Sequence, residues 1–181
     1  MDIYFATSNI EKFKEAKRII KKLKRINIEM QEPQSLSVEE VTKFKVINAY
    51  ESLKMPIVVE DTGFYINALN GFPGALGKWL HSSIGPEGIC NMISNYKNKR
   101  TTAVTCVAFY NGKQIHIFKG STNGIISDKP IGKKFGFDPI FIPRGYEKTF
   151  GEMTLEIKNS ISPRGKAFRK LRKFLEKSGN L

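Results

Sequence analysis

Apolar and polar positions along the chain lay out most of its elements. Residues 2–7 (DIYFAT) alternate and then turn apolar, the pattern of a strand entering a core. Asn9 is a helix N-cap, and a helical pattern follows to about Lys24. INIEM (26–30) reads as a short strand and QEPQSL (31–36) as a loop. Ser37 to Glu40 has the form of a capping box and opens a helix to about Lys54, with Pro56 ending it. IVVE (57–60) is the next strand, and FYINAL (64–69) a strand running away from the acidic pair Glu60-Asp61. NGFPGALG (70–77) is loop, and Pro86 opens a helix to about Tyr96. TTAVTCVAFY (101–110) and QIHIFKG (114–120) flank a tight Asn-Gly turn, a hairpin. A loop then leads to FGFDPIFIP (135–143). Ser162 caps a last helix with Pro163 at its first position, and Gly179 lies just past its end.

Strands and helices mix without strict alternation, and there is no repeat, low-complexity stretch or linker. The pattern predicts an α/β or α+β domain around a mixed sheet, one domain over 1–181, and not a doubly wound parallel fold. At 181 residues and 40% hydrophobic content the chain can bury a real core. No stretch has the apolar length of a membrane span. The opening MDIYFATSN lacks the basic-then-apolar form of a secretion signal. Cys90 and Cys106 sit among apolar neighbours without metal-ligand spacing, and read as buried free thiols in a reducing, cytoplasmic setting.

The net charge of +13 favours polyanionic partners. Much of it lies in 11–25 and 164–177, which read as amphipathic helices with basic outer faces. A solvated helix surface accounts for most of these lysines, so no specific grip on nucleic acid or membrane is expected.

Four stretches carry candidate chemistry. In TSNIEK (7–12) a strand ends and a helix begins, where backbone N–H groups attract anions. Lys12 falls in the first turn, the wrong end of the dipole for a cation unless an anion binds there. Glu60-Asp61 read either as a turn with an Asx hydrogen bond or as ligands for a hard cation such as magnesium. In KKFGFDPIF (133–141) the phenylalanines read as core aromatics or as a base-stacking pair with Asp138 on the sugar or base edge. Lys158, Arg164 and Lys166 surround a helix start and offer donors only, which suits carbonyl or phosphate oxygens.

The order and spacing of these blocks carry more than any one alone. TSNxxK, EDTG followed by ALNGFPG, FGFDPIFIPRGYEKTFGEM, and KNSISPRGKA closely resemble the inosine triphosphate pyrophosphatase family, in an archaeal-like form. The resemblance covers nearly the whole chain. It implies an elongated mixed α/β sheet with flanking helices, two lobes around a central cleft, and a homodimer. It implies magnesium-dependent hydrolysis of ITP, dITP and XTP to monophosphate and pyrophosphate. Thr7, Ser8, Asn9, Ile10, Glu11 and Lys12 then hold the triphosphate. Asp61 is metal ligand and proton acceptor, and Thr62 touches substrate. Glu32 is the second metal ligand, or Glu40 if the loop alignment shifts. Phe135, Gly136, Phe137 and Asp138 hold the base, and Lys158 and Arg164 complete the pocket. Arg164 is expected to donate to a 6-oxo group and meet adenine's amino group donor to donor. Pro163 stands where the family usually has a histidine. Two rivals are a septum-inhibitor-type pyrophosphatase for pyrimidine or modified nucleotides, which the FGFDP block argues against, and a basic nucleic-acid-binding module.

Overall fold

The structure, a computed structural model, describes residues 2–179. Its elements are β1 (Ile3–Ala6), α1 (Ile10–Ile19), β2 (Leu23–Ile26), α2 (Val38–Leu53), β3 (Ile57–Ile66) and β4 (Pro73–Gly74). They continue as α3 (Gly77–Met92), β5 (Arg100–Tyr110), β6 (Ile115–Ile126), β7 (Phe141–Pro143), α4 (Leu155–Ile161) and α5 (Pro163–Lys177). One seven-stranded sheet runs β2-β1-β3-β5-β6-β7, with β4 also paired to β3. β1 pairs in parallel with β2 and β3, and the other pairings are antiparallel. The mixed α/β fold expected from the sequence is the one found.

Side chains alternate across a strand, so β3 has two distinct faces. Val58 packs with Ile3, Phe5, Phe109, Phe168 and Leu171, under α1 and α5. Ile57 and Val59 pack on the opposite face with Ala6, Val46 and Ala49, against α2. Farther along, Phe64 and Ile66 enter a second large cluster with Ile89, Cys90, Ile140 and Phe141. Between the two clusters lie Glu60, Asp61 and Thr62.

The sheet is interrupted at that point. β5 pairs with β3 along its whole length, from Ile57 to Ile66. On the other edge, β1 reaches only Ile57 and Val58, and β4 only Phe64 and Tyr65. Among the described residues no strand lies beside 59–63 on that edge, and a cleft enters the gap.

Several elements differ from the sequence reading. IVVEDTGFYI is one continuous strand, not two strands about a turn; the long β5 pairing carries it through the acidic pair. The first helix stops at Ile19, and the second strand is LKRI, not INIEM. Leu23 is needed in the core beside Ile3, and the spacing of Ile19, Ile20 and Leu23 imitates a continuing helix. α3 begins at Gly77, ahead of Pro86, because Gly85 at φ 65 joins two helical segments across a kink. β6 runs on through STNGII, where small inward residues look like loop in sequence. α4 was not anticipated from the sequence. The caps at Asn9, Ser37 and Ser162 and the Pro163 start are as read, and both cysteines are buried free thiols.

Gly120, just ahead of that stretch, shows why small residues face inward along β6. A Cβ there would lie 2.1 Å from the Pro163 carbonyl oxygen and 2.8 Å from the Ala167 nitrogen, both backbone of α5. Gly120→Ala should destabilise the fold by roughly 1–3 kcal/mol, lowering the melting temperature by several degrees. Calorimetry showing an unchanged melting temperature would contradict this packing.

Candidate active site

The gap beside β3 opens a cleft of about 1340 Å³. Its walls come from the β1–α1 junction, the loop after β2, α2, the middle of β3, the start of α3, residues 135–138 and the α4–α5 junction. Glu60 and Asp61 stand at its floor and point to opposite faces of the sheet, because they are neighbours on one strand. Each meets its own cations.

Glu60 faces α1 and α5. Arg164 Nε donates to its Oε2 at 2.9 Å and Nη2 to its Oε1 at 3.4 Å. Lys12 Nζ lies 3.4 Å from Oε1, and Thr62 Oγ1 donates to Oε1 at 2.7 Å. Burial alone would raise the Glu60 pKa; Arg164, Lys12 and the hydrogen bonds outweigh it and hold the carboxyl well below the usual range.

Asp61 faces α2. Lys45 Nζ lies 3.5 Å from Asp61 Oδ1 and 2.7 Å from Glu32 Oε1, so one ammonium spans the two carboxylates. Burial pushes the Asp61 pKa up, and Lys45 and Lys12 only partly offset it. Glu32 is lowered, because Lys45 outweighs its burial. Asp61 is therefore short of positive charge.

Glu15 lies behind Arg164. It accepts from Lys158 Nζ at 2.6 Å and from Arg164 Nη1 at 2.7 Å. Lys158 also donates to Asp138 Oδ2 at 2.5 Å. A continuous chain results: Lys12, Glu60, Arg164, Glu15, Lys158, Asp138. Burial raises Asp138 despite Lys158, whereas Arg164 and Lys158 overcome burial at Glu15 and lower it. The Phe135 ring covers this chain, 4.9 Å from Lys158 Nζ and 5.6 Å from the Arg164 guanidinium carbon. Phe137 instead stacks on Phe64 with centroids 4.0 Å apart and belongs to the core.

A scan against family models matches residues 3–174 to the Ham1 family. The chain belongs to the Ham1 family. A Methanopyrus kandleri protein named dITP/XTP pyrophosphatase is 39% identical over 173 residues, 92% of each chain. A Hyperthermus butylicus protein of the same name is 35% identical over 98% of this chain and 96% of its own. The structure of the Staphylococcus aureus Ham1 protein superposes with a TM-score of 0.84 at 27% identity, covering 98% of this chain and 100% of that one.

Within this Ham1 cleft, the sequence-predicted residues Thr7, Ser8, Asn9, Lys12, Glu32, Asp61 and Thr62 all line the wall. So do Phe135 to Asp138, Lys158, Pro163 and Arg164. Ile10 and Glu11 do not: Ile10 is exposed, and Glu11 pairs with Lys14 on the surface. Their side chains follow the helix away from the cleft. The Asn9 side chain takes the Glu11 and Lys12 amides, and Ser8 lines the cleft just ahead of them. Glu40 is exposed, accepts from Ser35 and lies outside the cleft. Arg164 differs from the expected base reader, since its donors are directed at Glu60, Glu15 and Thr62.

The sequence reading missed Glu15, Lys45 and Lys78, which faces Glu32 from α3. Two of these left a signal. Glu15 is three residues beyond Lys12, on the same helix face. Lys45 interrupts the apolar stripe of Val38, Val41, Val46 and Ala49 on α2.

Among the described residues no group of three or more His, Cys, Asp or Glu side chains is placed to hold a metal. Glu32 and Asp61 are a two-carboxylate donor set opening on the cleft, which suits magnesium when substrate phosphates supply further oxygens. The ion pairs of the site join five carboxylates to four cations. A divalent ion therefore fits the charge balance as well.

Glu15 sets a test of the buried chain. Glu15→Gln keeps the shape and removes one charge between two cations, at a cost of about 3 kcal/mol and a melting-temperature fall of roughly 6–12 °C at pH 7. The folded pKa of Glu15 lies below its ordinary 4.5, so its stabilisation is complete above that pH and is lost as pH falls through the folded value. The gap between wild type and variant should therefore narrow below about pH 4.5. A gap that is constant from pH 7 to pH 3 would contradict the charge assignment.

Proposed function

We propose that this chain is a nucleoside triphosphate pyrophosphatase that removes non-standard purine nucleotides (ITP, dITP, XTP) as monophosphate and pyrophosphate. The observation that carries the reading is one cleft with an acidic-cationic cluster on one side and a donor-rich aromatic pocket on the other. The Ham1 membership and the names of the M. kandleri and H. butylicus relatives support the same substrate class.

The triphosphate lies against the Ser8 amide ahead of α1, with Lys12 and Lys45 balancing its charge. Glu32 and Asp61 would hold a magnesium ion, which when bound neutralises phosphate oxygens. Asp61 orients a water toward the α-phosphorus and accepts its proton. The new P–O bond forms as the bond to the β-phosphate oxygen breaks, and pyrophosphate leaves with that electron pair. Most of the acceleration is positioning and electrostatics.

The base meets the outer face of Phe135. A 6-oxo group accepts from the third Lys158 hydrogen or from backbone amides of residues 135–138, since Arg164 is engaged by carboxylates. Adenine would place a donor against those donors, a mismatch of roughly 1–3 kcal/mol. The reading takes the enzyme as a cytoplasmic homodimer without a specific grip on nucleic acid or membrane. Two buried free thiols fit a reducing compartment. No described helix is long and apolar enough to cross a membrane. Exposed Trp79, Phe72 and Ile84 supply apolar surface for a second subunit.

The test is release of pyrophosphate from ITP, XTP and ATP with magnesium. ITP should exceed ATP in kcat/KM by roughly 5- to 150-fold, and Asp61→Asn should lower kcat roughly 10²–10⁴-fold. Phosphate in place of pyrophosphate as product, or equal turnover of ITP and ATP, would overturn the reading. Full activity of Asp61→Asn would remove Asp61 from the chemistry.

A further inference from the structure

The loop that carries Glu32 is held before Glu32 by Ile28 and Met30, which pack on the core, and after it by backbone hydrogen bonds. Between residues 27 and 34 no backbone–backbone hydrogen bond holds it among the described residues. Glu32 itself is held by Lys45. The anchor is Leu36. Its carbonyl accepts from the Ala75 amide at 3.1 Å and from the Tyr65 hydroxyl at 3.0 Å. Gly74 admits that close approach, because a Cβ there would stand 2.4 Å from the same oxygen. The Tyr65 oxygen in turn accepts from the Val38 amide at 3.1 Å, the first amide of α2. One hydroxyl thus closes the end of the loop onto the start of the helix that bears Lys45.

Tyr65 stands on the same face of β3 as Asp61, with Gly63 between them. The glycine makes room for the phenol: a Cβ at residue 63 would lie 2.7 Å from the Tyr65 ring and 3.0 Å from its hydroxyl. The ring is fixed against Val38, Val104, Cys106 and Ala75. One rigid strand therefore carries Asp61 directly and fixes the Glu32 loop through Tyr65. Tyr65 does not line the cleft.

We propose that Tyr65 is a positioning residue that latches the Glu32 loop to β3 and so sets the spacing of the Glu32 and Asp61 carboxylates for a divalent cation. This rests on the reading of those two carboxylates as the cation ligands. Releasing the latch leaves both ligands present and loosens the end of the loop that carries one of them, where the Ala75 amide alone then holds the Leu36 carbonyl. Cation affinity then falls, while nucleotide contacts from α1 and residues 135–138 are untouched.

The probe is Mn²⁺ alone, its binding to the full chain followed by electron paramagnetic resonance, with melting temperatures measured in parallel. Tyr65→Phe keeps the ring and removes the hydroxyl. It should weaken Mn²⁺ binding roughly tenfold and raise the magnesium concentration for half activity in proportion. The KM for ITP at saturating magnesium should stay within about twofold, because the latch does not touch nucleotide. Gly63→Ala, which pushes the ring aside, should weaken Mn²⁺ in the same way and serves if Tyr65→Phe does not fold. Glu32→Gln should weaken it more. If Glu32→Gln weakens Mn²⁺ and both latch variants bind it as wild type does, the latch is overturned and the ligand reading stands. A lowered melting temperature with unchanged Mn²⁺ affinity makes Tyr65 purely structural and likewise overturns the latch. If Glu32→Gln binds Mn²⁺ as wild type does, both readings fall.

Discussion

Neighbouring side chains on a strand point to opposite faces of a sheet, and the site depends on that constraint. Glu60 and Asp61 are adjacent in sequence, yet their close ion pairs are made with different cations. Glu60 is claimed by Arg164 on one face and Asp61 by Lys45 on the other. The missing strand beside residues 59–63 lets a ligand reach the edge of β3 between the two faces. A turn at this point would have placed both carboxylates in solvent. A fully paired strand would have sealed them in.

The buried chain of charges behind Glu60 is an expensive construction. Desolvating so many ionised groups offsets much of what their attraction returns, and an apolar replacement is often as stable. What an apolar core cannot supply is charged side chains fixed in the wall of the cleft. Glu15 and Asp138 both hold Lys158 beneath Phe135, and Glu15 and Glu60 both hold Arg164. The asymmetry of the two carboxylates follows from this arrangement. Glu60 is saturated by cations and held ionised. Asp61 has one close cation, shared with Glu32, and its pKa is raised by burial. Of the two, Asp61 is the one to which the proposed mechanism assigns the water.

The sequence conveyed whatever is local. Asn9, Ser37 and Ser162 cap helices through bonds to residues two or three positions away, and each is legible from type and spacing alone. The blocks around Lys12, Asp61 and Asp138 were legible as candidate chemistry for the same reason. Contacts made across the fold were not. Arg164 reaches Glu60 over 104 residues and Glu15 over 149, and nothing near Arg164 reveals that its donors are engaged. Glu15 looked like one more charge on a basic helix. β6 was cut short after Gly120 in the sequence reading because STNG (121–124) looks like loop, although Gly124 is small so that β7 can close on it. The continuity of β3 through two acids was hidden because its cause, the pairing with β5, lies more than forty residues away in the chain.

The central claim is that water delivered on the Asp61 face attacks the α-phosphorus. Hydrolysis of ITP in ¹⁸O-labelled water, with the products separated by mass, tests it most directly. The account expects one ¹⁸O atom in the nucleoside monophosphate and none in pyrophosphate. Label in the pyrophosphate would place the attack on the β-phosphorus and contradict the geometry assigned to Asp61, Glu32 and Lys45.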